Sequence, residues 1–315
     1  MDPTSVSVTE TVVRAESVDL NRLVTQLERH GTRSAKMRFG LLLLRNGVNK
    51  CPYELFYSGQ SEDILVILVT RPMADFRVVS VAAPESPTTP SRLARILRHP
   101  DLRSAIWGGR FRADCWPESL LATVKDAASE MGFRFDFISD QTSFARPEGL
   151  AEVQTISRQG VSIRPLLPEH VDTVMHYWPY TAEVEYAHKM IGEGLIAGLS
   201  AGAFITEPVE PPKDGGNDDQ EPLPADGLAC WALVNHDGCI GYLHTLAGHR
   251  KRGLAAAVMA ELTRLCEAAG YPAAFHTNHP AVLRIAEDLQ YEKLFTVFWA
   301  ILSPPSDVPN RALHG

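Results

Sequence analysis

The sequence predicts an α+β (mixed α/β) chain of two domains, each a twisted mixed β-sheet flanked by helices. Three observations lead there. At 315 residues the chain exceeds one ordinary core and matches two domains of roughly 150 residues. Apolar runs of strand length alternate with stretches of helical periodicity in both halves. A polar break, SFARPEGLAEVQTISRQG, separates the halves and places an N-terminal domain at 1–158 and a C-terminal one at 159–305.

In the first half the pattern predicts a helix around Leu20 to His30 and then strands in KMRFGLLLLRN, DILVILVT and FRVVSVAA, each a short apolar run bounded by turn residues. SPTTPSRLARILRHP reads as a capped short helix. In WPESLLATVKDAASEMGFRFDFIS, Pro117 suits a first helical turn, Gly132 ends the helix, and the alternation that follows predicts a strand.

The second half starts with VSIRPLLPEHVDTVMHYW, a strand and then a helix, followed by the helical EVEYAHKMIGEGLIAGL and the strand AGAFIT. Glu207 to Asp226 carries seven acidic residues, one lysine and five prolines, so it buries no core and reads as an acidic loop inserted into a hairpin. Beyond it come the strand LACWALVN, the turn HDG, the strand CIGYLHTLA, a helix from about Leu254 to Ala269, the strand PAAFHT, another helix and the strand EKLFTVFWAIL.

Composition narrows the function. A net charge of -8 argues against a protein held on nucleic acid through backbone phosphates. The five cysteines (Cys51, Cys115, Cys230, Cys239 and Cys266) never fall in CxxC or CxH spacing, so neither a disulfide framework nor a metal site is expected and reduced thiols are. The first twenty residues match neither a secretory signal nor a transit peptide, and no run approaches roughly 18 apolar residues. A cytoplasmic location is expected, with mitochondrial as the alternative.

In GYLHTLAGHRKRGLAAAVMAEL, four nitrogen-rich side chains precede a glycine and an alanine-rich helix. A helix N-terminus offers unpaired N–H groups and partial positive charge, which suits a pyrophosphate. Gly253 lets backbone approach phosphate, Ala255 keeps the first turn clear, and Arg250, Lys251 and Arg252 add charge. The other reading is a solvated basic turn before an amphipathic helix. A strand-to-helix turn within a βαβ arrangement favours the phosphate reading.

Arg250, Gly253 and Ala255 match the R-x-x-G-x-(G/A) coenzyme A loop of the GNAT N-acyltransferases. LACWALVNHDGCIGYLHTLAGHRKRGLA resembles the signature of the glycine N-acyltransferase family, with its Cys-Trp pair, a hairpin turn at Gly238 and Leu-x-Thr-Leu before the basic loop. VDTVMHYWPY and FHTNHPAVLRIAEDLQY are similar to flanking segments of that family, and the resemblance covers roughly 160 to 303. It implies two GNAT-like domains, the N-terminal one degenerate and the C-terminal one carrying the acyl-CoA site. It further implies attack of an amine on an acyl-CoA thioester, with acyl-CoA as co-substrate, no tightly bound cofactor and a monomer or homodimer. On this pattern the backbone of Leu246 and Ala247 holds pantetheine, Arg250 to Ala255, including Leu254, hold the pyrophosphate, and Asn278 lies near the coenzyme or caps the next helix.

The sequence departs from the pattern at two places. Where family members often carry a glutamate base, eleven residues before the loop arginine, stands Cys239, and where many carry a tyrosine acid stands Ala286. His244 is the expected base, since histidine titrates near neutrality, with attack by amine already deprotonated in solution as the alternative. Yet five residues along an unbroken strand from Cys239 it points to the opposite face unless a bulge intervenes. His276 and His236 are further candidates. The expected activity is transfer of an acyl group to glycine or another small amine. The alternatives are an arylalkylamine or protein acetyltransferase, and an acyl-CoA-binding protein with weak or lost catalysis.

Overall fold

The computed structural model describes residues 11–59, 63–178, 187–196, 198–206, 223–235 and 238–305. The acidic insertion from 207 to 222 and His236 lie outside the described residues. In chain order the described elements are β1 (Val12–Arg14), α1 (Leu20–Glu28), α2 (Ala35–Arg45), β2 (Tyr53–Ser58), β3 (Leu65–Thr70), β4 (Phe76–Ala82), α3 (Thr89–Leu97), α4 (Pro100–Trp107), β5 (Arg110–Pro117), α5 (Leu121–Glu130) and β6 (Arg134–Ala145). There follow β7 (Val161–Arg164), α6 (Val171–Tyr177), α7 (Ala187–Ile196), β8 (Ser200–Ile205), β9 (Leu228–Val234), β10 (Ile240–Thr245), α8 (Leu254–Ala268), β11 (Ala274–Thr277), α9 (Pro280–Asp288) and β12 (Glu292–Ser303).

Among these residues, contacts define two compact units. The first comprises the chain up to Ser34, Cys51–Asp140 and the residues from Thr296; the second comprises Ala35–Lys50 and Gln141–Phe295. The units interleave along the chain, whereas the sequence suggests a single cut at 158/159.

In the first unit the strands run β1-β2-β3-β4-β5-β12, antiparallel except for the parallel pair β4–β5. Its core joins β3, wholly buried, to apolar faces of α3, α4 and α5, with Trp116, Phe111 and Phe298 buried among them. In the second unit the order is β7-β8-β9-β10-β11-β6, again antiparallel except for one parallel pair, β10–β11. The pattern of directions is therefore the same in both. In each, the sixth strand follows the helix that closes the other repeat: β6 follows α5 and β12 follows α9.

Two sequence expectations change here. KMRFGLLLLRN is not a strand but most of α2, and every residue from Met37 to Leu44 is buried. A helix covered on nearly all sides has no polar stripe, so its sequence reads as a continuous apolar run indistinguishable from a buried strand. α2 belongs to the second unit, where the Phe39 ring stacks on Tyr271 with centroids 4.8 Å apart and Arg38 pairs with Glu148 at 2.6 Å. A side chain at Gly238 would come within 2.7 Å of Phe39 Cβ, so the hairpin turn before β10 needs glycine at this close approach as well as for its φ of +87°. Pro117 likewise ends β5, ahead of a 3-10 turn at Glu118–Leu120, and does not open the helix itself.

Candidate active site

The site is built around β10. Gly241 lies opposite Leu233 on β9, but His244 lies opposite Trp231, so three steps along β10 match two along β9. This is a β-bulge with one extra residue, and Tyr242 within it adopts φ +56°. A left-handed tyrosine is a strained conformation, retained here by packing: its ring is buried and lies 4.7 Å from that of Trp178. The bulge reverses the facing of every later residue on β10. His244 therefore shares a face with Cys239, the arrangement that an unbroken strand forbids.

That face is the one turned away from α8. Ile240 pairs in parallel with Phe275, whose ring meets Tyr291, and the Tyr291 hydroxyl bonds Thr263 of α8 at 2.7 Å. Their neighbours Cys239 and His276 point the other way and meet each other, with Sγ 3.2 Å from Nε2. His244, half-buried, packs against Trp231 (4.9 Å between centroids) and Tyr177 at the end of α6 (5.6 Å). Sequence reasoning put Cys239 and His244 at the site, and the structure adds the direct thiol–imidazole contact to His276.

Ala286 is buried in α9, and the nearby Tyr291 faces α8, with burial pushing its hydroxyl far above the ordinary tyrosine range. Ala286 has no ionisable group, and the Tyr291 hydroxyl is engaged with Thr263 on the face away from Cys239 and His244. Cys230 is on the α8 side of β9, where burial pushes its thiol up to about 12 despite the hydroxyl of Thr245 donating to it. It is an inert core thiol, as is Cys266, which is shifted up by burial too.

Beyond β10 a 3-10 turn at Ala247–His249 leads to Arg250, Lys251 (φ +60°), Arg252 and then Gly253 (φ +75°), the residue that caps α8. The first intrahelical bond of α8 runs from the Ala257 N–H to the Gly253 carbonyl at 3.2 Å. The N–H groups of Leu254, Ala255 and Ala256 therefore project from the helix end without intrahelical acceptors. The cations around them are held in place. Arg250 Nε donates to the Thr245 carbonyl at 3.0 Å, and Arg252 lies 2.9 Å from His249 Nδ1. Burial, and then the charge of Arg252, keep His249 below its usual pKa, so the neutral ring accepts that bond.

A fourth cation joins this turn from far along the chain. The Arg158 guanidinium lies where a side chain at Gly253 would stand, 2.8 Å from that ideal position. Nothing in the sequence singles out Arg158, an exposed arginine in the polar break.

Two expected coenzyme ligands are already engaged. The Leu246 N–H donates to the Ala229 carbonyl at 3.0 Å, so a bond from it to pantetheine requires β9 to release it. Asn278 Oδ1 accepts from the N–H and hydroxyl of Thr142, at 2.9 and 3.1 Å. The cap of α9 is His279, not Asn278.

The parallel pairs of the two units differ. β4 and β5 are in register from Phe76–Arg110 to Val79–Ala113, and past that point the indole of Trp116, fully buried, donates to the Val79 carbonyl at 2.6 Å. β10 and β11 pair at Ile240–Phe275, and the bulge then bends β10.

Among the described residues no cluster of His, Cys, Asp and Glu is placed to hold a metal ion, no disulfide joins the buried cysteines, and no helix is long and apolar enough to cross a membrane.

This architecture recurs in solved structures. A tandem GNAT protein from the clavulanic acid biosynthesis pathway matches with TM-score 0.51 over 95% of this chain and 100% of its own, at 13% identity. The chain has the tandem GNAT fold. A GCN5-related N-acetyltransferase from Sphaerobacter thermophilus matches with TM-score 0.50 over 96% of this chain and 99% of its own, at 11% identity. A Drosophila protein solved in structural genomics matches with TM-score 0.67 over 94% of this chain and 100% of its own, at 15% identity. No family model and no curated protein matches the sequence.

Proposed function

We propose that the protein is an acyl-CoA-dependent N-acyltransferase whose coenzyme site lies in the second half of the tandem, 159–305, with the first half, 1–158, as a degenerate repeat. The observation that carries this reading is the route from β10 to α8. A strand bent by a bulge runs into a helix end with projecting N–H groups and a left-handed glycine, ringed by Arg250, Lys251, Arg252 and Arg158. The N–H groups, the helix dipole and the cations each favour a diphosphate. Acyl-CoA enters as a co-substrate, with Arg250 to Ala255 on its pyrophosphate and the backbone near Ala247 on its pantetheine arm.

The acceptor is an amine, in the finer reading the amino group of glycine or another small amino acid, as the Cys230–Trp231 pair and the segment from Leu243 to Leu246 suggest. It meets the thioester on the face that carries Cys239 and His244. His244 takes the proton from the incoming ammonium, a role its turn onto this face supports. The rings of Tyr177 and Trp178 on α6 and beyond favour an arylalkylamine as a second reading. The test is release of free coenzyme A thiol from a panel of acyl-CoAs offered glycine, other amino acids, phenethylamine and a lysine peptide, with mass spectrometry of the amides. Coenzyme binding with no amide from any acceptor would leave an acyl-CoA-binding protein.

A further inference from the structure

We propose that Cys239 carries the acyl group as an enzyme thioester between coenzyme A and the amine, with His276 as its proton carrier; this rests on the acyltransferase reading above. A thiol in hydrogen-bond contact with an imidazole is the minimal unit of a cysteine nucleophile, because the ring removes the proton that otherwise leaves sulfur a weak nucleophile. All three thiols of the second unit are buried, Cys239 at 2% exposure; Cys230 and Cys266 face the α8-side core, whereas Cys239 Sγ lies on the other face and contacts His276 Nε2 at 3.2 Å.

Location supports the role. Cys239 and His276 flank Ile240–Phe275, the pair at which β10 and β11 join before β10 bends. From Cys239 to Thr245 the strand covers about 17 Å, six steps less the one taken up by the bulge, at roughly 3.3 Å each. That span is of the order of an extended pantetheine arm laid along β10 from the basic turn, so the thioester reaches the Cys239 end. α2 packs on the turn at Gly238, the residue before Cys239.

The chemistry balances without a further reactant. His276 takes the Cys239 proton as Sγ attacks the acyl carbon. The bond from that carbon to the coenzyme sulfur breaks, and His276 returns the proton to the departing coenzyme thiolate. The amine then attacks the acyl-Cys239 carbon and the carbon–Sγ bond breaks. His276 moves the proton from nitrogen to Cys239, restoring the pair. One thioester is exchanged for another and then for an amide.

The test omits the amine. Wild-type protein mixed with acetyl-CoA or butyryl-CoA and quenched in acid is expected to show a burst of about one coenzyme A per protein and an acyl adduct mapped to Cys239. Cys239→Ser and Cys239→Ala should lose the burst and retain coenzyme affinity by calorimetry, which also reports that they fold. His276→Gln should slow the burst without removing the adduct site. Amide formation by wild type with neither burst nor adduct would overturn this proposal and leave the acyltransferase reading intact, as would Cys239→Ala working at the wild-type rate. No burst and no amide from any acceptor would remove both.

Discussion

The two units thread their sheets in the same pattern and differ where each makes its parallel crossing. In the first, the turn from β4 to α3 contains Pro84, Glu85 and Pro87, and Pro90 occupies the first helical turn, where it removes an N–H donor. Thr89 folds back on this turn, its hydroxyl donating to the Pro84 carbonyl at 2.8 Å. Trp116 fills the end of the β4–β5 seam. In the second unit the corresponding turn has three consecutive cations and a left-handed glycine, and the seam is bent by a bulge. With the topology shared, a few side chains are what distinguish the two crossings. Donors withdrawn by proline, a carboxylate and a buried indole set the first crossing apart from the second.

The largest effect expected concerns chemistry. If the acceptor's proton leaves through the second unit, His244→Ala should lower kcat/KM by roughly a hundred- to ten-thousand-fold at neutral pH and change the shape of its pH profile. Full activity with an unchanged profile would clear His244 of this role. Next comes Trp116→Ala, which should cost about 3–5 kcal/mol in urea unfolding by emptying the first unit's seam, while calorimetry on the folded variant shows unchanged coenzyme affinity. A weaker affinity there would mean that the first crossing is more than structural.

Reversing charge at the turns sharpens the contrast. Arg252→Glu should weaken coenzyme A binding tenfold or more, as charge-assisted contacts contribute roughly 1.5–3 kcal/mol, whereas Glu85→Arg should create no second site. Gly253→Val is the poorer probe, because φ +75° strains a β-branched residue and the fold suffers along with the site. Deleting Asp214 to Gln220 should leave affinity as it is.

The smallest effect is on acid stability. With its pKa held below 6.5 in the fold, His249 binds a proton less readily folded than unfolded. Its contribution is complete above about pH 6.5 and is lost as pH falls through the lowered value. Urea midpoints at pH 7.5 and 5.5 should differ slightly less in His249→Gln than in wild type.

The sequence carried the alternation of strands and helices, the basic turn and the start of α8, because these depend on local periodicity and on glycine at a left-handed position. It did not carry α2, whose all-round burial erased its period. The bulge at Tyr242 was equally hidden, since a tyrosine gives no sign of a left-handed backbone and only pairing with β9 reveals the extra residue. His244 could be placed on its face only after that. Trp116 and Arg158 act through partners distant in sequence, and the exchanged sixth strands leave no mark at any single position.

That exchange has a consequence for how the chain is made. β5 completes its pairing only with β12, so Pro117 waits for Val297, its partner in the register. At about 5–20 residues per second of synthesis the delay is roughly 10–40 s. Throughout that interval the edge of β5 offers unpaired N–H and C=O groups to any other strand, including the same edge on a neighbouring nascent chain. The protein's yield should therefore depend on translation speed and chaperone supply more steeply than its finished stability suggests.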